Sequence, residues 1–421
     1  MDPRDQSRFG PAARPRMVLL EQFFYPDGWG GAEIPRDLAV HLARSGWRVD
    51  VICGTEQYAP VAGSVGADPR AEGVNIRRVP ALPMGRDVRK CKALRQAWFC
   101  GWAALRLFLR RPPDVFVSQT NPPPAIPLVA LAARIWRKPF ILIAMDLYPE
   151  VLLEHGTIAR GGMLARVATA VFGWAYRSAS VVVALGPSMA DRIRAKGVPE
   201  GKVVEIGNWA TGDLGVIRGS ANRLRTDLDL GDCFVLVYSG NLGVGHEFET
   251  LLRGVAIACE QVPTIRIVFF GSGARLSEVR QLVQDLGLEH RVNFGPVVPA
   301  ERLPETLGLA DLGVVTLRKG FEGLMVPSKL LGYMARGIPV LYVGPPSDAS
   351  VLVSRHGCGL CVGSGESAAV ARTIVEAYGN REKLTAMGRA GQQAYEAGMT
   401  RDQALSSYDD VLRRCLDAGR G

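Results

Sequence analysis

Short apolar runs alternate with helix-like segments along almost the whole chain, and this alternation leaves few possible folds. Strands that alternate with helices indicate βαβ units and a parallel sheet. A first series of predicted strands comprises Met17–Leu20, Val49–Cys53, Val115–Ser118, Phe140–Met145 and Val181–Ala184. The pattern then begins again, and the second series comprises Phe234–Ser239, Ile265–Phe270, Val292–Phe294, Leu312–Leu317 and Pro339–Val343.

The two series predict an α/β protein with two consecutive Rossmann-like domains. A chain of 421 residues is too long for one hydrophobic core, which also favours two domains. We expect the N-terminal domain at 17–208, a linker at 209–220, the C-terminal domain at 221–399 and a terminal segment at 400–421. Residues 1–16 are polar and rich in Pro and Arg, so we expect a disordered leader there.

Three glycine-rich loops follow predicted strands, at the edge where open parallel sheets bind ligands. They are YPDGWGGAE at 25–33, GNLG at 240–243 and GSG at 271–273. Glycine lets the backbone approach a phosphate, and the helix that follows offers free N–H groups, although packing alone can also require glycine in such a loop. The candidate donor-binding residues of these loops are Gly30, Gly31, Gly240, Asn241 and Gly273.

The stretch FEGLMVPSKLLGYMARGIPVL, residues 321–341, places a serine and a lysine at the start of a predicted helix. Ser328 is expected to cap this helix, because its hydroxyl can accept a hydrogen bond from a first-turn N–H. A cation such as Lys329 is unfavourable at the positive end of a helix, and a bound diphosphate would reverse that effect. We therefore predict that Ser328 and Lys329 bind phosphate, with Arg318 as a second cation. The alternative is a solvated lysine on a short helix.

The stretch AMDLYPEVLLEHG, residues 144–156, places carboxylates after a very apolar strand. Carboxylates at such a position can orient hydroxyl groups or act as a base, so Asp146 and Glu150 are candidate catalytic residues. Asp146 has the better position, directly at the end of the strand. Glu150 is also explained as an ordinary charge in the first turn of a helix.

The net charge of +9 and the pI of about 9.3 favour anionic partners. The basic and aromatic segment 86–111 could lie on an anionic bilayer, or it could pack on the core with its charges solvated. No apolar run approaches the ~20 residues of a membrane span. Zinc-finger spacing and RNP-type aromatic motifs are also missing, so we expect no nucleic-acid partner.

The eight cysteines are scattered along the chain, which indicates a reducing compartment, and we expect a cytoplasmic protein. Cys358 and Cys361 form a CxxC motif beside His356. A zinc site needs further ligands at matching spacing, and the sequence has no second pair. We therefore expect no metal site.

Taken in order, several segments resemble bacterial glycosyltransferase family 4, which has the GT-B fold of two facing Rossmann domains: FFYPDGWGGAE, NPPPAIPLVALAAR, DLYPE, YSGNLG, FGSG and VPSKLLGYMARGIPVL. The resemblance runs from about Met17 to the C-terminus and is closest to enzymes of O-antigen and exopolysaccharide assembly, including N-acetyl-L-fucosamine transferases. It implies retaining transfer from a nucleotide sugar, usually UDP-linked, without a required metal. It also implies that the C-terminal domain holds the donor and that a last helix, at about 400–418, crosses back to the N-terminal domain.

The chain departs from the family pattern at several positions. The family has two glutamates eight positions apart, whose places are taken here by Leu324 and Gly332; Glu322, two residues earlier, could replace the first. The Arg and Lys that bind the diphosphate in the family correspond to Asn241 and His246. The His that often precedes the aspartate of DLYPE is Met145 here. Arg318 and Lys329 are then the cations available to a diphosphate.

The sequence leads to the hypothesis of a retaining glycosyltransferase at the inner face of the plasma membrane. Lys329 and Arg318 would neutralise the leaving diphosphate, Glu322 would hold sugar hydroxyls, and Asp146 or Glu150 would orient the acceptor or its proton. The acceptor would be a sugar linked to polyprenyl diphosphate. A nucleotide-sugar epimerase and a non-catalytic partner subunit of an assembly complex are the alternatives. A dinucleotide oxidoreductase is disfavoured, because no strand leads into GxGxxG.

Overall fold

The protein, seen here as a computed structural model, is described over residues 14–27, 30–55, 68–82, 88–212, 214–218 and 221–418. Most of the expected leader and the first two residues of segment 86–111 lie outside these ranges. The first strand begins at Arg16.

The N-terminal half contains a seven-stranded, fully parallel sheet in the order β3-β2-β1-β4-β5-β6-β7. Its strands are β1 (Arg16–Leu20), β2 (Arg48–Gly54), β3 (Asn75–Val79), β4 (Val115–Gln119), β5 (Phe140–Ile143), β6 (Val181–Ala184) and β7 (Val203–Glu205). Its helices are α1 (Gly30–Arg44), α2 (Val88–Phe108), α3 (Ala125–Trp136), α4 (Glu150–Glu154), α5 (Met163–Ser178) and α6 (Pro187–Ala195). The sequence pattern missed β3 and β7, because both edge strands carry mainly half-buried or exposed side chains.

The C-terminal half contains a six-stranded parallel sheet in the order β10-β9-β8-β11-β12-β13. Its strands are β8 (Phe234–Ser239), β9 (Ile265–Phe270), β10 (Val292–Gly295), β11 (Leu312–Thr316), β12 (Val340–Val343) and β13 (Gly359–Val362). Its helices are α7 (Arg223–Asp227), α8 (Glu249–Gln261), α9 (Leu276–Asp285), α10 (Leu303–Gly308), α11 (Lys329–Met334), α12 (Asp348–Arg355), α13 (Ser367–Gly379) and α14 (Arg381–Gly398). The prediction of two α/β domains with parallel sheets is confirmed.

The last helix, α15 (Arg401–Ala418), leaves the C-terminal half and packs on the N-terminal one. Its buried side chains Leu405, Tyr408 and Leu412 share an apolar cluster with Met17 and Leu19 of β1. The indole N–H of Trp47 also donates to Asp409 Oδ1 at 2.7 Å. This helix therefore ties the two halves of the chain together.

The two domains also meet directly beside the carboxyl ends of their strands. The N–H of Leu147 donates to the carbonyl oxygen of Leu324 at 2.9 Å, and Leu324 is fully buried in the N-terminal core. On α6, the Ser188 hydroxyl donates to Asp348 Oδ1 at 2.6 Å. These contacts place the loop between β11 and α11 against the end of β5, so the two facing sheet edges enclose a cleft.

Candidate active site

The order of each sheet reverses next to its first strand, and this reversal marks the expected ligand position. In the C-terminal sheet β8 lies between β9 and β11, so the loops after β8 and β11 flank the crevice. The loop after β8 carries Gly240 and Asn241, and the loop after β11 carries Arg318. These three candidate donor residues therefore lie at the same edge of one sheet.

The glycine loops after β8 and β9 interlock. The N–H of Leu242 donates to the carbonyl oxygen of Ser272 at 2.9 Å. A Cβ atom on Gly271 would lie 2.0 Å from the Gly240 carbonyl oxygen, and one on Gly273 would lie 2.4 Å from the Leu242 carbonyl oxygen. Glycine at 271 and 273 is therefore explained by packing between the loops, and a donor contact at Gly273 stays a prediction.

Lys329 is a half-buried cation with no carboxylate at ion-pair distance in the part of the chain that the structure describes. Its ammonium nitrogen lies 4.6 Å from the centre of the Tyr238 ring and 3.4 Å from His246 Nε2. A Cβ atom on Gly240 would meet Lys329 Cε at 3.4 Å, so the lysine stem lies against the glycine loop. Burial lowers the pKa of Lys329 to about 7.

His246 orients this lysine. Its Nδ1 lies 2.8 Å from the carbonyl oxygen of Thr316, which can only accept, so Nδ1 carries the proton and Nε2 is an acceptor. Burial, and then the charge of Lys329, hold the pKa of His246 well below its ordinary value. A neutral imidazole therefore accepts a hydrogen bond from the ammonium group of Lys329 at 3.4 Å.

The prediction that Ser328 caps α11 is wrong. Ser328 has helical angles, φ −61° and ψ −24°, and its hydroxyl makes no capping hydrogen bond. A capping serine needs an extended backbone so that its oxygen reaches back to the first-turn N–H groups. The Ser328 hydroxyl is exposed instead, and its predicted phosphate contact is not tested by this geometry.

Arg318 and Glu322 lie on the loop that joins β11 to α11. The Arg318 N–H donates to the carbonyl oxygen of Gly245 at 2.8 Å, which joins this loop to the loop after β8. Its exposed guanidinium group forms no ion pair with any described residue. Glu322 Oε2 accepts from the N–H of Gly320 at 2.8 Å, so one carboxylate oxygen holds its own turn.

Asp146 and Glu150 follow β5, on the N-terminal side of the cleft, and their surroundings differ. Asp146 forms an isolated antiparallel bridge with Met325, four residues before Lys329, and its N–H donates to Thr120 Oγ1 at 3.1 Å. Its carboxylate has no hydrogen-bond partner among the described residues, and burial raises its pKa to about 6. Glu150 forms an ion pair with Lys196, whose side chain is 10% exposed. Asp146 is therefore the carboxylate that remains available.

The sequence pattern placed Gly30 and Gly31 before a helix, whereas in the structure they are the first two residues of α1. Glu33 in the same first turn is buried, and burial raises its pKa to about 7. Its side chain is hydrogen-bonded to Thr211 on the connection to the C-terminal domain. The start of α1 therefore lies beside the passage between the two domains.

Glu21 was missed by sequence reasoning. It follows β1 directly, next to β4, where the order of the N-terminal sheet reverses. The residue is 2% exposed, its Oε2 has no hydrogen-bond partner in the described part of the chain, and burial raises its pKa well above the ordinary value. A carboxylate immediately after the first strand was the available signal, but only the sheet order shows that it lies at the crevice.

Among the described residues, no group of three or more His, Cys, Asp or Glu side chains is arranged to hold a metal ion. In the same ranges, no helix combines the length and apolar character of a membrane span.

Two family models match the chain, one on each half. Residues 30–209 match the glycosyl transferase 4-like domain, and residues 223–394 match the glycosyl transferases group 1. The chain belongs to glycosyltransferase family 4. This membership confirms the resemblance seen in the motifs. The first matched domain carries Asp146, and the second matched domain carries Lys329.

Curated relatives of this family 4 chain come from several bacteria. A probable glycosyltransferase, WbjE of Pseudomonas aeruginosa, is 27% identical over 62% of this chain and 66% of its own length. WcaI of Escherichia coli (strain K12), named as a colanic acid biosynthesis glycosyl transferase, is 26% identical over 50% of this chain and 52% of its own. A GDP-mannose-dependent phosphatidylinositol monomannoside mannosyltransferase of Mycobacterium tuberculosis is 27% identical over 45% of this chain and 50% of its own length. The chain thus spans between half and two thirds of these relatives.

Solved structures confirm the GT-B fold over nearly the whole chain. Anabaena HepE in complex with UDP-glucose superimposes with a TM-score of 0.72, at 18% identity, over 95% of this chain and 99% of that one. WaaG, a glycosyltransferase involved in lipopolysaccharide biosynthesis, gives a TM-score of 0.65 at 15% identity, over 93% of this chain and 98% of that one.

Proposed function

We propose that the protein is a retaining glycosyltransferase that moves a sugar from a UDP-linked donor to a glycan on polyprenyl diphosphate, in bacterial polysaccharide assembly. One observation carries the proposal: Lys329 is a half-buried cation against the glycine loop after β8, and no described residue supplies it with a counter-ion. An anionic ligand would supply the missing charge. HepE, which has the same fold, binds UDP-glucose, and the relatives WcaI and WbjE are glycosyltransferases by name.

The donor side follows from the charges. As the bond between the sugar and the diphosphate breaks, negative charge grows on the departing nucleotide. A fixed cation lowers the barrier when it interacts more strongly with that charge than with the intact donor. Lys329 would donate to the diphosphate from one side and Arg318 from the other, and the loops at Gly30–Gly31, Gly240–Asn241 and Gly273 would let the backbone approach. Glu322 would hold sugar hydroxyls with the carboxylate oxygen that its own turn leaves free.

The acceptor side is assigned to the N-terminal domain. Asp146 would take the proton of the acceptor hydroxyl or orient that hydroxyl, since its carboxylate has no other partner and lies beside the loop of the donor cations. Glu150 is the second choice, because Lys196 already engages it. Contact of segment 86–111 with the inner face of the plasma membrane would bring the lipid-linked acceptor to this side.

Thermal stabilisation by nucleotides tests donor binding. We expect UDP, but not GDP, ADP or NAD, to raise the free energy of unfolding, by about 2.7 kcal/mol at a concentration 100 times its Kd. Because Lys329 and Arg318 supply the positive charge, EDTA should leave this shift unchanged. A shift with GDP alone would contradict the UDP assignment. GDP is included because the mycobacterial relative is GDP-mannose-dependent. A shift with NAD alone would contradict the transferase.

Donor binding should also take up a proton above neutral pH. Burial lowers the pKa of the free Lys329 ammonium to about 7, and a bound diphosphate favours the charged form and so raises that pKa. Below pH 7 the lysine is already charged and affinity should not change. Above pH 7 each pH unit should weaken binding by up to about tenfold, until the pKa of the complex is reached.

Isothermal titration calorimetry with UDP-glucose at pH 6 and pH 8.5, in two buffers of different ionisation enthalpy, measures this uptake directly. The diphosphate of a UDP-sugar does not titrate in this range, so a proton taken up from the buffer on binding must go to a group of the protein. Equal affinity and no proton uptake at the two pH values would show that Lys329 does not contact the diphosphate.

A further inference from the structure

One face of the N-terminal domain exposes a concentration of large apolar side chains. Of the fifteen exposed large hydrophobic residues among those described, ten lie on α2, α3 and α5 or on Leu109, directly after α2. The most exposed are Met163 at 84% and Leu164 at 64%, both at the start of α5, and Leu109 at 74%, directly after α2. Apolar patches of this extent on a soluble domain mark a surface that another body covers.

The three helices form one continuous layer on the sheet. Phe99 of α2, Ala133 of α3 and Phe172 of α5 are buried in the same apolar cluster beneath them. The indole N–H of Trp136, at the end of α3, donates to the carbonyl oxygen of Leu107 in α2 at 3.0 Å. Their outer sides therefore form a single surface, which we call the outer helical face. In segment 86–111, α2 buries Phe99 in the core and exposes Leu94 and Trp98 on its other side, and contact of that side with a bilayer stays a prediction.

The charge of this layer has one sign. The sequences of the three helices contain eight Arg and Lys residues, five in α2, one in α3 and two in α5, and no Asp or Glu. Arg134 of α3 and Arg166 of α5 are exposed and form no ion pair with any described residue. The chain as a whole has 41 acidic residues, so a layer of three helices without any is a strong departure from its average.

We propose that the outer helical face, formed by α2, α3 and α5 together, lies on an anionic lipid bilayer. Exposed apolar side chains beside exposed cations such as Arg134 and Arg166 are the combination that an interface of acyl chains and anionic headgroups accommodates. A second copy of the chain fits less well, because a symmetric contact would oppose two basic surfaces. The inference extends the membrane contact in the proposed function from one helix to the whole layer, and it rests on that function for its biological setting.

The layer also has an orientation toward the cleft. Two of its three most exposed apolar residues, Met163 and Leu164, follow the loop after α4, and α4 begins four residues after Asp146. A groove of about 450 Å³ lies at this end, lined by Leu153, Arg160, Ala165 and Arg166 among others. Arg160 is paired with Glu154, so Arg166 is the cation that this groove offers beside its apolar walls to an amphipathic lipid diphosphate. The acceptor could then reach Asp146 while its lipid chain stays in the bilayer.

Co-sedimentation of the full-length protein with vesicles tests this inference. We expect binding to vesicles of 30% phosphatidylglycerol in phosphatidylcholine to be at least ten times tighter than to pure phosphatidylcholine, and to weaken in 0.5 M salt. The double variant Met163→Asp/Leu164→Asp should lose at least tenfold in partitioning. The matched control Ile257→Asp/Val351→Asp changes two exposed apolar residues of the C-terminal domain and should bind as the wild type does.

Arg134→Glu/Arg166→Glu should weaken binding to the anionic vesicles only. Equal binding of the wild type to both kinds of vesicle, no binding to either, or no effect of the α5 substitutions would overturn the proposal. So would a dimer in solution that the α5 substitutions dissociate, since the face would then be an interface between copies. UDP-induced stabilisation, measured on the same variants, reports both folding and donor binding. If the protein binds UDP but not vesicles, only the proposal of a membrane-binding face is disproved. If it binds vesicles but transfers no sugar, only the proposed function is disproved.

Discussion

Lys329→Met is expected to reduce kcat/KM for sugar transfer by roughly 10²–10³-fold, the range found when one preorganised donor to a developing charge is removed. Methionine keeps the length and apolar stem that pack against Tyr238 and Gly240, and it removes only the ammonium group. The free energy of unfolding should not fall and could rise, because a half-buried cation without a counter-ion is then no longer present. Initial rates with radiolabelled donor, together with thermal unfolding, measure both effects.

Lys319→Met is the matched control. Lys319 is exposed on the loop between β11 and α11, and it carries the same charge at a position with no observed contact to His246 or Tyr238. It should transfer sugar within about twofold of the wild type, since a solvated surface charge contributes little. If both variants lose the same activity, the effect is one of overall charge. If Lys329→Met turns over at the wild-type rate, Lys329 is not the cation that stabilises the leaving group.

Asp146→Asn is expected to lower kcat by roughly 10²–10⁴-fold, the usual contribution of a positioned general base. The wild-type rate should rise through a pKa of about 6, because burial raises the pKa of Asp146 to about 6 and only the ionised carboxylate can accept the proton. Above this pH the rate should reach a plateau. In the asparagine variant the residual rate should no longer rise with pH through about 6. If Asp146 had only a structural role, the variant would keep the pH dependence of the wild type.

Glu150→Gln is the companion variant, and its expected effect falls on stability. The substitution removes the carboxylate that pairs with Lys196, whose side chain is only 10% exposed, and this should cost about 1–3 kcal/mol. Its kcat should stay close to the wild-type value. The opposite result, with Glu150→Gln inactive and Asp146→Asn active, would transfer the acceptor-side role to Glu150. A pH profile measured on each variant separates these outcomes from simple loss of folded enzyme.

The sequence pattern predicted some properties of Ser328, Lys329 and His246 and missed others. The pattern placed a serine and a lysine at the start of a short helix, and α11 does begin at Lys329. It did not show that Ser328 has helical angles and no capping bond, because backbone angles at a helix start depend on the loop before it. The resemblance to the family placed His246 where the family has a cation. Only the packed structure shows that His246 is neutral, since its surroundings and its bond to Thr316 decide its protonation.

The sequence by itself determined the two α/β domains, the strands of their centres and the family, because short apolar runs and glycine loops are local signals. It also placed Asp146 and Glu150 after the same strand. The tertiary structure alone decided that Glu150 is paired with Lys196, whereas the Asp146 carboxylate has no hydrogen-bond partner among the described residues. It also decided that Glu21 lies at the crevice and that three basic helices share one face. Partners of this kind are separated by tens or hundreds of positions in the chain, and only the order of the strands and the packing of the helices bring them together.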